Sequence, residues 1–125
     1  MSVAILREGD YLIAAILSDL TDKEVVAMRG ELIDLVGRHR SRGLVIDVSA
    51  LDVIDSFVAR ALRAIAVTAR LRGAETIVVG VRPDVAIAMV QFNLNMEPLR
   101  AALDLDEAIA VLDVITRGQD GPDER

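Results

Sequence analysis

Apolar and polar positions follow two different periods along the chain, and the change of period divides it into strands and helices. Short apolar runs rich in β-branched residues lie at 3–7, 10–17, 44–48 and 76–79. Longer segments place apolar residues every three or four positions, which predicts helices over 21–40 and 56–72. Because strands alternate with helices, we expect a mainly parallel sheet with right-handed crossovers.

Local signals mark the ends of these elements. A Glu-Gly pair separates the first two apolar runs, so the sheet is expected to open with an antiparallel hairpin. Thr21 and Glu24 form a capping-box pattern at the start of the first helix. Gly43 and Gly73 follow the first two helices, where a left-handed cap is expected.

The second half of the chain gives weaker signals. A third helix is predicted over 83–92, a short last strand within 94–103, and a final helix over 104–116 that an aspartate caps. The tail 117–125 is rich in glycine and charge and is expected to be disordered. The prediction is therefore one α/β domain over 1–116, with about four helices flanking a mixed sheet.

Composition removes several functional classes. A net charge of −6 argues against nucleic acid as a partner, because phosphate contacts need clustered positive charge. The absence of cysteine excludes disulfides, thiol nucleophiles and cysteine zinc sites. The only histidine, His39, lies between two arginines near a helix end, where a cation complements the helix dipole. We expect no metal and no cofactor.

The distribution of apolar residues also bears on location. Charged residues interrupt every apolar run before it reaches the length of a bilayer-spanning helix. The first residues lack the basic start and cleavage pattern of a signal peptide. The expectation is a cytoplasmic protein without a membrane partner.

Motifs for catalysis are missing at the strand-to-helix junctions. None of them carries a glycine-rich phosphate loop or a nucleophile elbow, so the chain is not expected to be an enzyme. Asp47, Asp52 and Asp55 leave one alternative, a receiver-type acidic cluster that binds Mg²⁺ and accepts phosphate. Such a cluster would need a further carboxylate from Asp19 or Asp22.

One segment carries a more specific pattern. Residues 45–49 read Val-Ile-Asp-Val-Ser, and residues 52–56 read Asp-Val-Ile-Asp-Ser. This pattern resembles the signature of STAS domains, the family of anti-sigma-factor antagonists and sulfate-transporter tails. The resemblance extends from Val3 to about Thr116. The helix start reads Asp-Ser-Phe rather than the commoner Asp-Ser-Ser-Gly, and together with 80–86 it looks like the RsbS-type antagonist of stressosomes.

The resemblance implies a phosphorylation-regulated scaffold that sequesters a switch serine/threonine kinase of the RsbT type. It places the phosphorylation site at Ser56, although a serine or an aspartate at this point could simply cap the helix. Further implied partners are RsbR-type STAS sensor proteins and a serine phosphatase. The alternatives are an ordinary anti-sigma-factor antagonist and a small nucleotide- or anion-binding STAS domain. The expected partner-binding residues are Asp52, Asp55, Ser56, Phe57 and Arg60.

Two surfaces predict self-association into dimers and a large complex. The third predicted helix is apolar almost all round, which is unusual for a short helix in a small domain. The second helix carries a stripe that mixes apolar residues with arginine, as protein interfaces do. The stripe consists of Phe57, Arg60, Ala64, Val67 and Leu71.

Overall fold

The structure, a computed structural model, describes residues 2–84 and 96–120, with the side chains of 118–120 left aside. Eight elements follow one another in this part of the chain. They are β1 (Val3–Glu8), β2 (Tyr11–Ile16), α1 (Asp22–His39), β3 (Gly43–Asp47), α2 (Ser56–Leu71), β4 (Glu75–Val79), β5 (Arg100–Ala102) and α3 (Leu105–Asp120).

The strands form one sheet in the order β1-β2-β3-β4-β5. The first pair is antiparallel, with Ile5 opposite Ala14, and Gly9 takes a φ of +59° in the turn between them. The other pairs are parallel, with Ala14 opposite Ile46 and Ile46 opposite Val78. The predicted α/β fold with an opening hairpin and a mainly parallel sheet is therefore confirmed.

The two faces of the sheet bury different halves of the core. On one face, Leu44 and Ile46 of β3 pack in a cluster with α1 and α2. On the other face, Val45 packs in a second cluster with Ala108 and Leu112 of α3. The near-continuous apolar run of β3 is thus explained, because both of its faces are covered.

Helix α1 begins as predicted and ends differently. The Thr21 hydroxyl accepts from the Glu24 N–H at 3.2 Å, and the Glu24 carboxylate accepts from the Thr21 N–H at 2.9 Å. The left-handed cap is Arg40 with a φ of 50°, so the prediction of a Gly43 cap was wrong. Gly43 belongs to β3 instead, where an added Cβ would lie 2.7 Å from Leu112 Cδ1. Gly43 is thus required by the close packing of Leu112 and not by a left-handed backbone conformation.

The predictions for the second half of the chain are confirmed in part. Strand β5 lies inside the predicted range 94–103, and Asp104 caps α3 by accepting from the Glu107 N–H at 2.9 Å. Most of the third predicted helix, 85–92, lies outside the described residues. Helix α3 continues to Asp120, so residues 117–120, which were expected to be disordered, are helical. Residues 121–125 lie outside the described part.

A polar network joins α3 to the sheet. The Tyr11 hydroxyl donates to Asp113 Oδ1 at 2.6 Å and lies 3.2 Å from the Thr116 hydroxyl. Arg42 donates to the Thr116 carbonyl oxygen at 2.7 Å. These contacts connect residues 113 and 116 of α3 to the first residue of β2 and to the residue before β3.

Candidate functional site

The candidate site lies where β3 leads into α2, at the carboxyl ends of the parallel strands. In open α/β sheets this edge is where ligands and partners usually bind. The connecting loop is fixed to the sheet at its start, because the Val48 N–H donates to the Val79 carbonyl at 3.0 Å. Buried Leu51 then donates its N–H to the Val48 carbonyl at 3.0 Å. The loop is therefore held by the core before it reaches the helix.

A close backbone contact further restricts the loop. Asp47 Oδ1 accepts from both the N–H and the hydroxyl of Ser49, at 2.9 and 2.7 Å. Gly80, just after β4, has a φ of +83°, and an added Cβ would lie 2.6 Å from Ser49 Cβ and 2.9 Å from Ser49 N. Only glycine fits this approach between the two strand ends.

Asp55, not Ser56, caps α2. Its carboxylate Oδ1 accepts from the Val58 N–H at 2.9 Å, and its backbone is extended with a φ of −79° and a ψ of 177°. Ser56 is the first helical residue and is exposed. Within residues 2–84 and 96–120 its hydroxyl makes no hydrogen bond. The alternative that Ser56 serves as the cap is therefore wrong, and its hydroxyl faces solvent.

The predicted partner-binding residues lie in the loop after β3 and in the first two turns of α2. All five are exposed, and Phe57 keeps 39% of its surface accessible. Asp52 has a cation beside it, since Arg82 Nη2 lies 3.6 Å from Asp52 Oδ1. Asp52 and Asp55 both precede Ser56 in the chain, and the negative charge of Asp52 is thus partly neutralised by Arg82.

Two shallow grooves border this surface. One, of about 160 Å³, brings Asp55 together with exposed Val53 and side chains from the end of β2 and the loop after it. The other, of about 290 Å³, lies between α1 and α2 and joins Phe57 to residues far away in sequence. The second groove is lined by Val25, Val26, Arg29, Phe57, Arg60, Ala61 and Ala64.

The contribution of α1 to this surface was missed by the sequence reasoning. The apolar pattern predicts Val26 and Arg29 only as residues of α1, whereas in the structure they line the groove beside Phe57. Right-handed crossovers place α1 and α2 on the same face of the sheet, because β2, β3 and β4 follow one another in one direction across it. A sequence-based expectation of this strand order would have made α1 and α2 neighbours.

The acidic-cluster alternative finds no support in the described part of the chain. The carboxylates have separate tasks, since Asp47 binds Ser49, Asp52 faces Arg82 and Asp55 caps α2. Across residues 2–84 and 96–120, no group of three or more acidic or histidine side chains is arranged to hold a metal ion.

Residues 2–84 and 96–120 also contain no helix with both the length and the apolarity needed to span a bilayer.

Comparison with known proteins gives the family. A model of the STAS domain family matches residues 3–108. The chain belongs to the STAS domain family. A solved structure of RsbS from Moorella thermoacetica, in a serine-to-glutamate variant, is 34% identical with a TM-score of 0.81, and the match covers 94% of this chain and 99% of that chain. A chain from a structure of the stressosome is 32% identical with a TM-score of 0.73, over 91% of this STAS domain and 99% of that chain.

A curated relative points in the same direction. The RsbT co-antagonist protein RsbRA of Bacillus subtilis (strain 168) is 28% identical over 78 residues, which are 62% of this chain and 28% of RsbRA. The chain spans about a quarter of the length of the curated relatives it matches. The expected resemblance of this STAS domain to RsbS-type stressosome proteins is confirmed by these matches.

Proposed function

We propose that this STAS domain is a phosphorylation-regulated scaffold of a cytoplasmic stressosome, without catalytic activity of its own. It binds a switch serine/threonine kinase of the RsbT type and releases it when Ser56 is phosphorylated. The observation that carries the proposal is the exposed Ser56 hydroxyl at the start of α2, left unused because Asp55 provides the cap. Similarity to RsbS and to a stressosome chain supports it.

The fold is expected to tolerate the phosphate. Phosphorylation adds about −1.5 to −2 charges at neutral pH. An anion at a helix N-terminus is favoured by about 0.3–1 kcal/mol at an exposed site. Repulsion from Asp52 and Asp55 opposes this, at roughly 1 kcal/mol for a unit charge pair 4 Å apart in water. Arg82 beside Asp52 reduces that repulsion, so the two effects are of similar size.

A docked partner faces a different balance. Where a partner that offers no cation of its own covers Ser56, the phosphate loses water and can be compensated only by arginines of this domain, such as Arg60 one turn along α2. Burying an unpaired charge costs far more than the surface effects above. Phosphorylation therefore removes the partner while the domain stays folded.

The kinase-binding surface extends beyond the serine. Phe57 and Arg60 line the groove between α1 and α2, and Val26 and Arg29 line its other wall. An apolar floor with arginines at its rim is typical of protein interfaces. We place the kinase over this groove, with Asp52 and Asp55 at the edge of the contact.

The proposal is tested by locating the phosphate. The purified protein is incubated with an RsbT-type kinase and ATP and then mapped by mass spectrometry. We expect one phosphate on Ser56, its removal by a serine phosphatase, and no incorporation in Ser56→Ala. Ser18→Ala, which alters an exposed serine outside the loop between β3 and α2, is the matched control and should be modified normally. Phosphate on Thr68 or Ser49, with Ser56 unmodified, would contradict the proposal.

The ordinary anti-sigma-factor antagonist remains the second candidate, and sizing separates the two. A scaffold should elute with RsbR-type STAS proteins in a large complex that includes several copies of itself. An antagonist should instead form a small complex with an anti-sigma factor and ignore the RsbR-type protein.

A further inference from the structure

We infer that a polar pocket beside the second half of α2 binds a small phosphorylated molecule. The pocket has a volume of about 460 Å³, and three of the side chains around it are arginines from two separate elements. Its lining consists of Arg63, Arg70, Glu97, Pro98, Leu99 and Arg100.

A nearly buried carboxylate holds two of the arginines in place. Glu75, the first residue of β4, keeps only 9% of its side-chain surface exposed. Arg70 Nε lies 3.4 Å from Glu75 Oε2, and Arg100 Nε lies 3.9 Å from Glu75 Oε1. Two guanidinium groups thus share one carboxylate, and both remain about half exposed. Their remaining N–H groups are available to a ligand.

Arg63 adds a third cation. It lies two helical turns before Arg70 on the same face of α2 and is exposed. Within residues 2–84 and 96–120 it has no ion pair. The sequence of 85–95 contains no acidic residue that could pair with it. Even with Glu97 counted, three cations face two carboxylates, in a chain whose net charge is −6.

The chemistry of the lining indicates the class of ligand. Guanidinium groups present a planar fork of N–H donors that matches phosphate oxygens. The volume falls within the range of about 300–1,000 Å³ typical of small-molecule pockets. Because the lining is charged, we expect it to recognise the oxyanion of a ligand rather than an apolar group. A phosphorylated metabolite matches both the positive charge of the arginines and the volume of the pocket.

The pocket is separate from the Ser56 surface. Glu75 begins β4, so the pocket lies toward the amino ends of the parallel strands, whereas Ser56 lies at their carboxyl ends. Arg63 and Arg70 are also about two and four turns along α2 from its first residue, a distance of about 10–20 Å along the axis. Ligand binding here does not depend on the kinase scaffold role.

The test is calorimetric titration of the full chain with inorganic pyrophosphate at constant ionic strength. We expect binding with a dissociation constant of about 1 mM or tighter, and at least about tenfold weaker binding by Arg63→Ala. Arg63 is chosen because its loss leaves the Glu75 contacts intact. Arg38→Ala removes a guanidinium of α1 and is the matched control that should bind like the original protein.

Further titrations identify the class of ligand and show which results would contradict the inference. ATP binding more tightly than pyrophosphate would indicate a nucleotide, and equal binding would indicate recognition of the phosphates alone. Ser56→Ala should bind pyrophosphate normally, which keeps this result apart from the kinase hypothesis. Arg63→Lys guards against misfolding and should retain partial affinity. Absence of binding, or equal affinity in Arg63→Ala and Arg38→Ala, would overturn the inference.

Discussion

Polar side chains in this domain differ in whether they have a hydrogen-bond partner, and this difference predicts the effect of replacing them. Asp55 and Thr21 cap helices through hydrogen bonds of 2.9 and 3.2 Å. Thr76, by contrast, is buried and its hydroxyl has no hydrogen-bond partner among the described residues. Such a group pays a desolvation cost without compensation. Residues of this kind are where substitution should improve the fold.

Replacing Thr76 by valine should stabilise the domain by about 1 kcal/mol. Valine keeps the shape and removes the unpartnered hydroxyl, whose burial costs about 1–3 kcal/mol. Thr76 lies on the sheet face that Ala74 and Val78 share with the α1 and α2 core. Thr116→Val is the control, because that buried hydroxyl donates to the Leu112 carbonyl at 2.8 Å and its loss should destabilise. Denaturant unfolding measures both, and a less stable Thr76→Val would refute the argument.

Tyr11 should titrate above its ordinary value of 10.0. Burial raises the pKa of Tyr11 most, and the hydrogen bond to Asp113 raises it further. The fold therefore favours the neutral phenol, so this stabilisation is complete below pH 10 and is lost as pH rises through the folded-state pKa. Tyr11 is the only tyrosine and tryptophan is absent, so tyrosinate absorbance reports it alone. Asp113→Asn should bring the pKa closer to 10.0, and an unchanged titration would count against the contact.

At the scale of elements, the contacts between strand ends decide where the site lies. The loop before α2 is held by Leu51 inside the core and by the approach of Gly80 to Ser49. The orientation of the first turn of α2 follows from this loop and from the Asp55 cap. Ser56 is therefore presented by a fixed structure rather than by a free loop.

Gly80→Ala should destabilise the domain by about 2 kcal/mol or more and slow the phosphorylation of Ser56. A φ of +83° costs an L-residue roughly 1–2 kcal/mol, and the new Cβ would meet Ser49 backbone atoms at 2.9 Å. Gly9→Ala is the matched control, since Gly9 has a φ of +59° but no atom within 4 Å of an added Cβ. Thermal unfolding and kinase assays compare the two. Equal losses would mean that the contact with Ser49 contributes nothing.

The sheet carries two candidate sites, one toward each end of its parallel strands. The Ser56 surface lies at the carboxyl ends of the strands, and the arginine pocket lies toward their amino ends. Residues from both faces and from distant parts of the chain contribute to the core between them. Under the proposed function, a change at one end alters partner binding without unfolding the rest.

Ser56→Asp should weaken binding of the switch kinase by at least about tenfold while the melting temperature changes little. The added carboxylate lies at an exposed helix start, where the favourable dipole offsets repulsion from its neighbours. Under a docked kinase the same charge would be desolvated. Ser56→Asn is the uncharged control of equal size and should bind nearly normally. Binding measured by calorimetry that is equal in both variants would defeat the release mechanism.

The elements with local signals can be predicted from the amino-acid sequence alone. Periodicity located α1 and α2, the capping box placed the start of α1 at Thr21, and the alternation of strands with helices gave the sheet. The family followed from the segment around Ser56, because its residues are adjacent in the chain. These features depend on residues within a few positions of one another, so they can be predicted directly from the local sequence.

Features that depend on contacts between distant residues become visible only in the folded chain. Arg40 rather than Gly43 takes the left-handed cap, and Gly43 lies in β3 where Leu112 packs against it. Helix α3 contacts Tyr11 and Arg42, which are more than 70 residues away in the chain. The arginine pocket and the groove between α1 and α2 likewise join residues far apart in sequence. No local sequence pattern predicts these contacts, because they form only when the whole chain packs together.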